Sequence, residues 1–221
     1  MIELKDVRKK YQDKEVLKGI SGVFETGKIN LVIGASGHGK SVLMRSMVGL
    51  IDIDSGSISY DNRVLDFENY EQTKEIRRDI GMLFQGAALF NSASVQDNVE
   101  FPLKMFTTMS KEERLHRVNE CLKSVHLENV NSKFPAEISG GMKKRVGIAR
   151  AIALDIKYLF CDEPNSGLDP ITSRVIDDLI LEITTNLNIT TIINTHDMKT
   201  VFDIGDNILF IYKGDHWWNG T

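Results

Sequence analysis

Cysteine is scarce in this chain: Cys121 and Cys161 are the only two in 221 residues. Two thiols make no disulfide framework, and without a CxxC pair they suggest no metal site. Cys161 lies in an apolar run and reads as a small buried hydrophobe, a usage that fits a reducing cytosol. Long apolar runs are also missing. No stretch approaches the ~18 residues needed to cross a bilayer, and Met1-Ile2-Glu3-Leu4-Lys5-Asp6 lacks the apolar core of a signal peptide. Work at a membrane would therefore depend on docking to something else. A strong excess of either charge is absent, the net charge being −4. That gives no general pull towards nucleic acid or anionic lipid, and no nucleic-acid partner is expected. No repeat, low-complexity tract or linker rich in proline and serine divides the sequence.

What is present is an ordinary globular composition, 42% hydrophobic and 26% charged. The length suits one large domain or two small lobes with a buried core. Ile2, Leu4 and Val7 suggest a strand, and Ile58-Ser59-Tyr60 before Asp61-Asn62 a strand entering a turn. Ile29 to Ile33 is a short apolar strand that runs into a glycine-rich loop, after which Leu43, Met47 and Leu50 recur at helical spacing. Ser110 with Glu113 forms a capping box, and Leu115, Val118, Leu122 and Val125 mark one apolar face. Tyr158 to Cys161 and Ile189 to Asn194 read as buried strands. Between them Val175, Ile176, Leu179, Ile180, Ile183 and Leu187 mark a long amphipathic helix. Strands alternating with helices predict an α/β core with a mainly parallel, covered sheet. The expected organisation over 1–221 is a single domain, with a β-rich N-terminal region and a helical lobe inserted near 86–150.

Two local patterns carry chemistry. Gly34-Ala35-Ser36-Gly37-His38-Gly39-Lys40-Ser41 matches GxxxxGK[ST]. Its glycines let successive N–H groups turn towards phosphates, and the following helix adds its dipole. Lys40 would reach the β- and γ-phosphates and the Ser41 hydroxyl would bind Mg²⁺; His38 takes no role of its own. Second, the apolar run Tyr158-Leu159-Phe160-Cys161 ends in Asp162-Glu163-Pro164. An acid at the C-terminal edge of such a sheet lies where ligands bind. There Asp162 would support Mg²⁺ and Glu163 would polarise an attacking water.

With these in place the chain resembles the ABC ATPase family over essentially its whole length. Glu137-Ile138-Ser139-Gly140-Gly141-Met142-Lys143-Lys144-Arg145 is similar to the signature usually written LSGGQ. Phe84-Gln85 is similar to the Q-loop, Ser166-Gly167-Leu168-Asp169 to the D-loop, and Thr195-His196-Asp197 to the switch histidine; Tyr11 stands where the family places a ring against adenine. Singly, each has a plainer reading. Ser139 can cap a helix through Val146, Ala149 and Ile152, and Asp169-Pro170 is a good helix start. His196 can be a hydrogen-bonded strand-end histidine, and Tyr11 a packed strand aromatic. Their joint order favours the family.

The resemblance implies a P-loop NTPase core that binds ATP and Mg²⁺. It implies Tyr11 on the base, Gly34 to Ser41 on the phosphates, and Ser41, Gln85 and Asp162 on the metal. Lys40, Gln85, Glu163 and His196 then carry catalysis. Ser139, Gly140, Gly141 and Asp169 would complete the ATP site of a second copy, so that a homodimer sandwiches two nucleotides. Soluble members act in DNA repair, chromosome maintenance and translation, through long coiled coils or paired cassettes that this sequence does not have. A transporter is the preferred reading, driven through membrane permease subunits at the cytoplasmic face of the inner membrane. Phe134-Pro135-Ala136-Glu137 before the signature looks like importer-type cassettes. Met142 in place of the usual Gln, the run Gly81 to Phe90 and Asp97-Asn98-Val99-Glu100-Phe101-Pro102-Leu103 together look like the ATPase of Mla/MCE-type phospholipid transport systems. That likeness implies an MCE-type lipid-binding partner; the rival is a polar amino-acid importer. Gly86 to Phe90 with Val99, Phe101 and Pro102 would form the groove for the permease. Family members often continue past the equivalent of Thr221 into a further tail, so the expectation is either a short member or a truncated chain.

Overall fold

The structure is a computed structural model that describes residues 1–221. Its centre is a six-stranded sheet in the order β10-β9-β3-β8-β7-β6. Strands β3 (Ile29–Ile33), β6 (Ile80–Leu83), β7 (Tyr158–Asp162), β8 (Thr190–Thr195) and β9 (Asn207–Tyr212) run parallel, and β10 (Asp215–Gly220) pairs antiparallel on the edge. A second, antiparallel sheet, β2-β1-β4-β5, is built from β1 (Ile2–Tyr11), β2 (Lys14–Phe24), β4 (Ser55–Tyr60) and β5 (Arg63–Val64). Asp61 and Asn62 close its β4–β5 hairpin with φ of 47° and 67°. That left-handed pair is what a two-residue hairpin turn requires.

The parallel strands are apolar without alternation because both faces are covered. On β7, Tyr158 and Phe160 face one core, shared with Leu43, Met44 and Met47 of α1 (Lys40–Met47) and with the antiparallel sheet. Leu159 and Cys161 face the other, shared with Val118 and Leu122 of α4 (Lys111–Ser124), Val146 of α5 (Gly140–Ala151) and Ile176 and Ile180 of α6 (Pro170–Leu187). Truncating a fully buried ring such as Phe160 to alanine would cost about 3–5 kcal/mol. Cys161 is the small buried hydrophobe expected, and burial pushes its thiol up to about 12.

Helices α2 (Tyr70–Arg78), α3 (Val95–Phe106) and α7 (Met198–Ile204) complete the molecule. Between β6 and β7 the chain forms only helices, α3, α4 and α5. The capping box at Ser110 and Glu113 is formed. Three readings of apolar faces need correction. Leu50 lies beyond α1, which Gly49 ends at φ 73°, and is exposed, while Met44 takes the buried position. Leu115 is exposed, the buried face of α4 being Val118, Cys121 and Leu122. Val175 and Leu187 are also exposed, since α6 packs through Ile176, Leu179, Ile180 and Ile183.

Register places the site. Ile33 pairs with Thr195, Asp162 with Asn194 and Leu83 with Cys161. Because the strands are parallel, whatever follows each of them emerges at one edge of the sheet. Gly34, Gln85, Glu163 and His196 therefore converge, although 162 positions separate the first from the last.

Candidate functional site

At that edge the loop 34–39 leads from β3 into α1. Gly34 takes φ 148° where a Cβ would run into the Ile211 carbonyl oxygen, and Gly39 takes φ 104° where a Cβ would lie 2.8 Å from the Val16 oxygen. Neither position accommodates a side chain. Gly39 is also the N-cap of α1 and offers no side-chain cap, which leaves the first N–H groups of the helix without a side-chain partner, as an anion site requires. Lys40 is buried, and its Nζ donates to the carbonyls of Gly34 (2.8 Å) and Ala35 (3.2 Å). Burial lowers its pKa, opposed by the nearby Glu163 and Asp162 carboxylates. The His38 ring packs edge-on against Tyr212 at 5.1 Å, and the His38 main-chain carbonyl accepts from the Gly214 N–H at 3.2 Å.

Beside the loop, Asp162 is buried and accepts from Asn194 Nδ2, which also donates to Ser41 Oγ at 3.2 Å. Glu163 follows in a left-handed conformation, φ 50°, a cost that a side chain other than glycine bears where the surroundings fix it. Its carboxylate meets His196 Nδ1 at 2.7 and 2.9 Å. Gln85 donates to Ser166 Oγ at 3.2 Å. A cavity of about 320 Å³ is lined by Ser36, Gly37, Gly39, Lys40, Ser41, Gln85 and Glu163, with Lys14 and Val16 from β2. Ser41, Asp162 and Gln85 offer a hydroxyl, a carboxylate and an amide, an oxygen set that fits Mg²⁺. No group of three or more His, Cys, Asp or Glu could hold an ion unaided.

Other expected site residues lie outside this cavity. Ser139 caps α5, accepting from Met142 N at 3.2 Å, and Gly140 and Gly141 open that helix. A Cβ on Gly141 would lie 2.6 Å from Thr172, so the signature packs on the start of α6. Asp169 caps α6: Thr172 and the Ile171 N–H hold its carboxylate below the usual range. Tyr11 is exposed at the end of β1 with Lys9 Nζ 5.7 Å from its ring. Met142, where the family usually has Gln, is partly buried against the core, and Ile138 is buried in it.

Sequence reasoning missed two single residues and one cluster. Asn194 was signalled only as a polar residue closing an apolar strand. Lys144, buried in α5, stands three residues after Gly141 and four before Ile148, on one face of the helix. Half-buried Asn165 and buried Asp177 and Thr200 form a cluster: Asn165 Nδ2 donates to Asp177 at 2.8 Å and to Thr200 at 3.0 Å, and Thr200 donates to Asp177 at 3.0 Å.

A second, apolar cavity of about 500 Å³ lies between Phe84, Phe90, Phe101, Pro102, Phe106 and Leu154, with Arg77, Arg78 and Arg150 among its lining residues. Ala88 lines it too, whereas Val99 and Ala87 are buried in the core, which corrects their place in the expected groove. No helix is long and apolar enough to cross a membrane.

A glycine loop opening a helix, facing a strand-end acid pair, defines a P-loop nucleotide-binding protein. The family described as ABC transporter matches residues 17–166. Methionine import ATP-binding protein MetN of Clostridium tetani is 43% identical over 96% of this chain and 66% of its own length. The probable ribonucleotide transport ATP-binding protein mkl of Mycobacterium leprae is 36% identical over 96% of the chain and 61% of its own length. The chain thus spans less than two-thirds of the curated relatives it matches. Among solved structures, the ATP-binding cassette MJ0796, a dimer bound to ADP and Pi, superposes with a TM-score of 0.90 at 31% identity, covering 100% of this chain and 98% of that one. CbiO1 of Clostridium perfringens, part of the ABC transporter complex cbiONQ, gives 0.91 at 32% identity, covering 99% and 87%. The chain belongs to the ABC transporter family and is one of its ATPase cassettes.

Proposed function

We propose that this chain is the ATP-hydrolysing subunit of a membrane transporter, working as a homodimer with ATP at the interface. The observation that carries the reading is the convergence of Lys40, Ser41, Asp162, Glu163 and His196 at one sheet edge. Lys40 and the loop N–H groups bind the phosphates, and Tyr11 supports the base. Glu163 accepts the proton of the attacking water. His196, held on Glu163, orients that carboxylate and stabilises charge on the γ-phosphate. Mg²⁺, held by Ser41, Asp162 and Gln85, would neutralise developing phosphate charge. Ser139, Gly140, Gly141 and Asp169, which stand outside their own cavity, serve the nucleotide of the second copy.

The cavity around Phe90 and Phe101 is the seat for the permease, because contiguous exposed aromatics mark an interaction site. It would hold the chain at the cytoplasmic face of the inner membrane. For cargo, the SGGM signature, the run Gly81 to Phe90 and the stretch Asp97 to Leu103 support phospholipid transport of Mla/MCE type with a lipid-binding subunit. The 43% identity to a methionine importer supports the second reading, an amino-acid importer. Affinity purification from detergent-solubilised host membranes, with mass spectrometry of the partners, separates the two. An MCE-domain protein beside a permease establishes the first, an amino-acid permease the second, and soluble partners alone overturn both.

A further inference from the structure

Lys144 is 5% exposed and takes part in no ion pair. Its Nζ donates instead to two main-chain carbonyls, that of Gln85 and, at 3.3 Å, that of Glu163. An ammonium buried on neutral acceptors is a costly way to fill space, because the charge loses its hydration and gains in return only the attraction of the Asp162 and Glu163 carboxylates beyond ion-pair distance. An apolar side chain of the same length would pack at lower cost. What the ammonium adds is a strong, charge-assisted link between three separate elements: α5, the loop after β6 and the residue after β7.

The same helix holds the rest of the Gln85 loop. Arg150 donates to the carbonyls of Ala87 at 2.7 Å and Ala88 at 2.9 Å, two residues kept at φ 60° and 47°. Thus α5 grips residues 85–88 through their main chain, and only Lys144 reaches Glu163 as well. Glu163 is itself left-handed, at φ 50°, and its carboxylate meets His196, so Lys144 holds the main chain of the residue whose side chain faces the cavity. The N-terminus of this helix carries Ser139, Gly140 and Gly141.

We infer that Lys144 is a positioning residue that makes α5 a rigid link between the two nucleotide sites of the dimer. Nucleotide of the second copy seated on Ser139 to Gly141 fixes α5, and Lys144 carries that position to Gln85 and Glu163 at the first copy's own nucleotide. The inference rests on the dimeric ATPase reading above. It separates the role of Lys144 from nucleotide affinity, since the side chain does not line the phosphate cavity.

The test is steady-state ATP hydrolysis by the full chain carrying Lys144→Met, which keeps the stem and removes the donor, and Lys144→Gln, which keeps an N–H donor. ATP affinity is read by calorimetry and folding by thermal melting. The expected result is a fall in kcat of about tenfold or more for the Met variant with affinity within about twofold. The dependence of rate on ATP should lose its cooperativity, and the Gln variant should recover part of the rate. If the Met variant does not fold, the Gln variant alone should show the kcat loss at unchanged affinity. Wild-type kcat and cooperativity in a folded Met variant would overturn the inference, as would parallel losses of affinity, rate and melting temperature without recovery by Gln. Absence of hydrolysis in the unsubstituted chain overturns the ATPase reading itself, and the inference with it.

Discussion

The imidazole of His196 spans both oxygens of Glu163, with Nδ1 at 2.7 Å from one and 2.9 Å from the other. The pair forms because β7 and β8 are neighbours in register and each residue follows its strand, Glu163 turning back at φ 50°. On the proposed reading His196 orients Glu163 and stabilises charge that develops only during hydrolysis, so its loss should fall on rate rather than on binding. His196→Ala is expected to lower kcat about a hundredfold while ATP affinity stays within about twofold. Steady-state rates beside calorimetry read the two effects separately. Equal losses in both would make His196 a binding residue.

Asn194 joins Ser41 to Asp162 through one amide nitrogen. Without it, the buried carboxylate loses a donor, an omission that costs about 1–3 kcal/mol, and the two oxygens lose their fixed separation. Asn194→Ala is expected to raise the Mg²⁺ concentration for half-maximal hydrolysis several-fold. ATP binding measured in EDTA should be unchanged. A titration of rate against Mg²⁺ decides it.

Asp177 gives a pH signature. Burial raises its carboxyl from the ordinary 3.8 to about 6, although hydrogen bonds from Asn165 and Thr200 pull the other way. The folded chain therefore holds this proton more tightly than the unfolded chain. That contribution to stability is full below about pH 3.8 and is lost as pH rises through about 6. Asp177→Asn lacks the titration. The stability of the wild type relative to this variant should thus fall by about 2 kcal/mol between roughly pH 4.5 and 7.5. Urea unfolding at the two pH values measures it; a constant difference would mean that Asp177 is charged throughout.

The glycine loop between β3 and α1 was legible in the sequence because its signals are local: glycine spacing, one lysine, one hydroxyl and the apolar strand before them. Asp162 and Glu163 were legible for the same reason, as acids closing an apolar run. Lys144 was not, since it sits among Lys143 and Arg145 and its two acceptors are main-chain atoms 59 and 19 positions away. The Asn165–Asp177–Thr200 cluster was hidden likewise, each member being an ordinary polar residue in its own segment. Leu50 and Leu115 were misplaced for a different reason. Periodicity marks a face but not where Gly49 ends the helix, nor how much of the face its neighbours cover. The strands β9 and β10 were not anticipated. They complete the edge of the sheet, and the Gly214 turn between them braces His38.

The central claim is that Glu163 drives hydrolysis in a dimer closed by ATP. The measurement is size-exclusion chromatography with light scattering on Glu163→Gln, with and without Mg-ATP, beside its turnover. The account predicts twice the monomer mass only with Mg-ATP and a rate at least about a hundredfold below wild type. Near-normal turnover, or a variant that binds ATP yet stays monomeric, would contradict it.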